Sequence, residues 1–123
     1  MPNDSLPNAP RGGAQIPPHM LELFPAAADP ALTRVVKVTN RKKVKQYGFA
    51  FDRVQVPIKT GGVGTFQAVA GETKLLEWIM IGDPGGSMTV ALYDVNGNEL
   101  DRHEPSSMPD DDTRGYDAFE VTG

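Results

Sequence analysis

Cysteine is absent from this 123-residue chain, which excludes a disulfide framework, a thiolate metal site and a cysteine nucleophile. Histidine is scarce. His19 and His103 are the only two, and neither stands at the spacing of a zinc-protease helix or a nucleophile elbow. No run approaches the 18 apolar residues of a membrane span, and the opening MPNDSLPNAPRGG has no apolar core region of a Sec signal peptide. Aromatic residues make up 7% of the chain and the formal net charge is -4, which gives no general reason to expect nucleic acid. Neither nucleic acid nor a membrane is therefore expected as a partner. No cofactor, metal or catalytic residue is expected either, and the chain reads as a non-enzyme.

Proline and glycine are plentiful, and proline is unevenly placed. Seven of the 11 prolines lie in the first 30 residues. Proline fixes φ and removes a backbone donor, so residues 1–30 cannot form a long helix or a central strand. They read as an extended arm, with a short helix predicted over 19–24 behind Pro17 and Pro18. Met20, Leu21, Leu23 and Phe24 form its apolar plug. Residues 31–123 read as one domain of strands and turns. Arg34–Thr39, Tyr47–Asp52, Val54–Ile58, Met88–Tyr93 and Tyr116–Val121 alternate with period two. Leu75–Ile81 is apolar on both faces apart from Glu77, which predicts a central strand ending at Gly82–Gly86. Trp78, inside that run, is expected in the core. Asn96-Gly97 predicts a type I′ hairpin turn. Seven or eight short antiparallel strands result, and the fold expected is an all-β sandwich, immunoglobulin-like or jelly-roll.

Charge is split along the chain. Residues 31–60 carry eight Lys and Arg against Asp52 alone, whereas residues 61–123 carry twelve Asp and Glu against three cations. Such a split either pairs a basic surface with an acidic one on another molecule or neutralises across neighbouring strands. Arg41, Lys42, Lys43 and Lys45 concentrate the basic side. Without interleaved aromatics they make a poor nucleic-acid site. They fit a hairpin or edge strand that lysine protects from unwanted pairing, or a surface for a protein partner.

Other motifs read as backbone devices. Gly61–Thr65 resembles a phosphate loop only in its glycines, with no lysine after them and no helix pattern. Asp94–Glu99 places oxygen ligands like a calcium loop, but its glycine stands fourth instead of sixth, so a hairpin is expected. Asp110, Asp111 and Asp112 read as a solvated loop. Glu72 and Glu77 are a carboxylate pair of a kind any acidic chain contains.

The arm of residues 1–30, joined to a cysteine-free acidic β domain, resembles in layout the small capsid decoration and accessory virion proteins of tailed phages. That resemblance implies a non-catalytic assembly subunit in a virion or the cytoplasm. It would dock on copies of itself or on a larger scaffold through Met20, Leu21, Leu23 and Phe24 and the basic run. A β-sandwich module for carbohydrate or another surface ligand is the alternative, using loops 59–65, 82–87 and 104–115.

Overall fold

The structure, a computed structural model, describes residues 29–123. The predicted arm and its helix over 19–24 lie outside the described residues, apart from its last two positions. A single 3-10 turn at Pro30–Leu32 leads into six strands: β1 (Thr33–Phe51), β2 (Val54–Val56), β3 (Val63–Gln67), β4 (Thr73–Asp94), β5 (Glu99–Ser107) and β6 (Arg114–Thr122). All pairings are antiparallel within one sheet of order β2-β1-β4-β5, with β3 also on β1 and β6 also on β4. The all-β, antiparallel expectation holds at this level.

The strand count differs from seven or eight short ones. Arg34–Thr39 and Tyr47–Phe51 belong to one strand of 19 residues, and Leu75–Ile81 and Met88–Tyr93 to one of 22. The Gly82–Gly86 cluster, expected to end a strand, continues β4. Pairing survives there because β1 carries bulges between Thr39 and Gln46, with Asn40 and Lys43 at φ 51° and 62°. A bulge adds a residue on one strand and increases bend and twist without ending the ladder. Gly82 permits the crossing, since a Cβ there would collide with the carbonyl of Lys43.

The bulges divide the sheet into two halves. In the first, β3 and β5 flank Thr33–Thr39 of β1 and Ser87–Asp94 of β4. In the second, β2 and β6 flank Gln46–Phe51 and Thr73–Ile81. Side chains from both halves share one core. Phe51 lies 4.5 Å from Phe66 of β3, and Trp78 lies 5.7 Å from His103 of β5, ring centre to ring centre. Trp78 is buried, as expected from its neighbours.

The turns exchange roles relative to expectation. At Asn96-Gly97 only Gly97 has positive φ, 88°. Asp94 accepts bonds from the amides of Asn96 and Asn98, both 2.9 Å, and this local capture leaves a single left-handed residue, so the type I′ expectation is corrected. The two-residue turn with both φ positive falls instead on Asp52 and Arg53, at 49° and 67°, between the paired Phe51 and Val54. A non-glycine residue pays for that conformation. Arg53→Gly is therefore expected to stabilise the fold by about 0.5–1 kcal/mol, after the extra freedom of glycine in the unfolded chain is offset. Thermal unfolding measures it; a fall in Tm would show that the turn is not strained.

Candidate protein-docking face

Leu75–Ile81 alternates cleanly in space. Leu76, Trp78 and Met80 enter the core, while Leu75, Ile79 and Ile81 stand on the opposite side, 43%, 52% and 37% exposed. The run is the central strand expected, paired with β1 and β6, but among the described residues nothing covers its outer face. Strand register supplies the neighbours. Ile79 lies between Gly48 of β1 and Tyr116 of β6, Glu77 between Ala50 and Ala118, and Ile81 between Gln46 and Arg114. Gly48 has no atom within 4 Å of where a Cβ would be, so a shallow depression of about 450 Å³ opens beside Ile79 and Tyr116.

Tyr116 is 59% exposed and donates its hydroxyl to Glu77 Oε1 at 2.7 Å. That bond to a carboxylate, with some desolvation, raises the phenol above its ordinary value. Cations mark the margin. Arg53 borders the depression beside Gly48, Arg114 borders the one beside Tyr116, and Arg41 lies over the Tyr47 ring at 5.6 Å. None of these three arginines has a carboxylate within 4 Å among the described residues. The face is therefore an apolar strip of Leu75, Ile79, Ile81 and Tyr116, interrupted by Glu77, with Glu120 beside Leu75 and arginines at its margin.

The structure places the sequence-derived partner residues in two groups. Met20, Leu21, Leu23 and Phe24 lie outside the described residues. Arg41, Lys42, Lys43 and Lys45 occupy the bulged middle of β1, all exposed. They do not form a hairpin, but the edge expectation holds: β4 pairs with one side of this stretch, while among the described residues no strand pairs with its other side between Lys37, where the β3 pairing ends, and Phe49, where the β2 pairing begins. Lys45 meets Asp83 at 3.3 Å, so the basic and acidic stretches do touch across the ladder. Only Arg41 also reaches the margin of the apolar face. Ile79, Ile81, Gly48 and Tyr116 escaped the sequence reading. The usable signal was the strict alternation within LLEWIMI, which continuous hydrophobicity concealed.

The remaining candidates serve the fold. Asp117 Oδ2 accepts from Ser106 Oγ at 2.9 Å and from His103 Nδ1 at 2.8 Å, while Ser106 Oγ accepts from Trp78 Nε1 at 2.9 Å. In a nucleophilic triad histidine bridges serine and acid. Here the acid lies between them and holds the serine proton, so the cluster satisfies the buried indole and ties β4, β5 and β6 together. Glu72 pairs with Lys74 at 3.1 Å, away from Glu77 and its tyrosine. Of the loops expected to bind ligand, 82–87 is strand interior. Residues 108–113 close onto it through Met108 N to Gly86 O and Gly85 N to Pro109 O, at 2.7 and 2.8 Å.

Asp94 closes the β4–β5 hairpin. The Asn98 side chain, then the Asn98 and Asn96 amides, hold its carboxyl below the ordinary 3.8. A depressed folded-state value stabilises above the unfolded value and loses that contribution as pH falls through the folded one. The stability advantage of the wild type over Asp94→Ala is accordingly expected to be full above pH 4 and to shrink progressively below it. Melting curves between pH 2 and 6 measure this; a pH-independent difference would contradict the hairpin role.

The chain matches no known protein family, no curated protein and no solved structure at a significant level.

Proposed function

We propose that the protein is a non-catalytic assembly subunit that associates with copies of itself through the outer face of Leu75, Ile79, Ile81 and Tyr116. The observation that carries the reading is that face. Ile79, Ile81 and Tyr116 stand together in solvent on a rigid sheet, with Leu75 beyond Glu77 on the same face, and exposed apolar patches on a domain surface mark interaction sites. The antiparallel register supports the reading, because central strands hold the strip in a fixed geometry with little ordering cost on binding.

In this reading the two halves of the sheet close on each other as a sandwich, clamped by Trp78, Ser106 and Asp117, and the outer side of the second half faces the neighbour. A virion accessory or capsid decoration role is the setting such repetitive association suits. Ordered copies on a shell stabilise it by mass action. The exposed Tyr116 favours carbohydrate binding as a second reading, since an aromatic ring on a flat face is a stacking platform.

Native mass spectrometry of the full-length protein tests the proposal. Oligomers are expected for the wild type, and a monomer of unchanged circular dichroism for Ile79→Asp. A wild type that stays monomeric up to millimolar concentration overturns it, and glycan binding lost in Tyr116→Ala would then favour the second reading.

A further inference from the structure

We infer that Phe24 seats in its own molecule, in the groove between the free edges of β2 and β3, and closes the core on that side.

The groove is a gap in the core. Among the described residues β2 and β3 each pair with β1 alone. Between their unpaired edges lies a space of about 370 Å³, floored by Phe51, Val56, Phe66 and Val69. Val54 shows how open it is. Register with Phe51 puts its side chain on the core side of β2, yet Val54 is 69% exposed. Phe66 and Val69 also pack against the core only partly buried. The other side of the core is shut, because Trp78, Ser106 and Asp117 tie β4, β5 and β6 together. Natural sheets cover such open edges with a loop or another segment.

The point at which the chain enters the fold selects the occupant. The amide of Asp29 donates to Gln67 Oε1 at 3.1 Å, and Gln67 is itself a groove residue. Back from Asp29 the sequence runs Ala28, Ala27, Ala26, Pro25 and Phe24, so Phe24 is the first large apolar side chain to arrive. Five residues span at most ~17 Å, whereas Thr65, the far groove residue of β3, lies about 7 Å along the strand from Gln67. So short a tether holds Phe24 beside the groove at an effective concentration on the order of millimolar. A neighbouring molecule at micromolar concentration competes poorly with that.

The chemistry agrees with the position. Phe51 and Phe66 already stand 4.5 Å apart, ring centre to ring centre, and a third ring extends the cluster with the edge and face contacts aromatic groups favour. Asp52 is the one charged residue of the groove, and residues 23–28 carry no charge, so seating the ring buries no unpaired ion. Pro25 has no amide to donate, which favours insertion of a side chain over addition of a strand. Phe24, read from the sequence as an anchor on other molecules, thus gains a place within its own. The outer face of Leu75, Ile79, Ile81 and Tyr116 is left to neighbouring copies.

The absence of cysteine allows a direct test. Full-length Phe24→Cys/Val54→Cys is oxidised mildly at micromolar concentration, beside Phe24→Cys/Val35→Cys and Phe24→Cys/Ile79→Cys. Val54 is exposed, so its substitution spares the core. Val35 lies on the face opposite buried Val36, next to Thr65. It is closer to Phe24 along the chain, and the shorter loop by itself favours that control. Ring closure in the Phe24→Cys/Val54→Cys variant is expected at least tenfold faster than in either control, and independent of protein concentration. Equal rates overturn the inference. Faster closure in the Ile79→Cys variant overturns it by placing the segment on the outer face, and a predominance of disulfide-linked dimers over rings overturns the seat within one molecule. Phe24→Asp gives a second readout without cysteine. Its Tm is expected to fall by about 5 °C, and that of Leu21→Asp by less than half as much; an unchanged Tm for Phe24→Asp also overturns the inference.

Discussion

Gly82→Val is expected to destabilise the protein by about 3 kcal/mol or more, the range reached when a buried contact has no room to relax. The residue sits where the bulged stretch of β1 crosses β4, paired with Val44, and its amide donates to Thr113 O at 3.0 Å. A Cβ would strike the carbonyl of Lys43 and the Cα of Val44. Both are backbone atoms, so no rotamer change relieves the contact, and the two longest strands must separate at their crossing. The damage should spread to Met108, which binds Gly86 nearby. Gly61→Ala is the control, with no atom near its Cβ and no positive φ, and should change Tm little. Urea unfolding of both variants gives the comparison. A Gly82→Val protein as stable as the control would mean that β1 and β4 are not single strands bent around this point.

Asp117→Ala carries the second large expected effect, a loss of about 2 kcal/mol, equivalent to a fall in Tm on the order of 10 °C. The carboxylate receives the Ser106 proton, and Ser106 is almost wholly buried. Without it that proton has only Met80 Sδ at 3.8 Å, a weak acceptor. His103, half exposed, can turn to water instead. Asp117→Asn keeps an oxygen in place and should lose much less. Trp78 is the only tryptophan and bonds directly to Ser106, so its fluorescence reports the site without labelling. Equal stability of the alanine and asparagine variants would show that the hydrogen bond to Ser106 contributes little.

These two positions illustrate different degrees of legibility. Trp78 among Leu75, Leu76, Ile79 and Met80 announces a core residue by composition, and it is one. Its polar partners come from β5 and β6, 28 and 39 residues away, and no local pattern links them. Gly82 reads as part of a turn cluster because Gly-Asp-Pro-Gly-Gly lowers strand propensity. Pairing with β1 on one side, and on the other bonds from Gly82 and Gly85 to the carbonyls of Thr113 and Pro109 and from the Met108 amide to Gly86, override that local preference.

The apolar face shows the same division at the level of function. Alternation within LLEWIMI and within Tyr116–Val121 is written in the chain, as are the all-β class, the turn residues and the separation of acidic from basic stretches. Period two assigns side chains to two faces but cannot say which face is covered, because burial is a property of what packs on top. Only the folded sheet decided that Leu76, Trp78 and Met80 share a core with Met88 and Val90, while Leu75, Ile79 and Ile81 look outward beside Gly48 and Tyr116. Long-range pairing also decided that four predicted strands are two, since continuity across a bulge depends on partners 35 to 50 residues away in sequence.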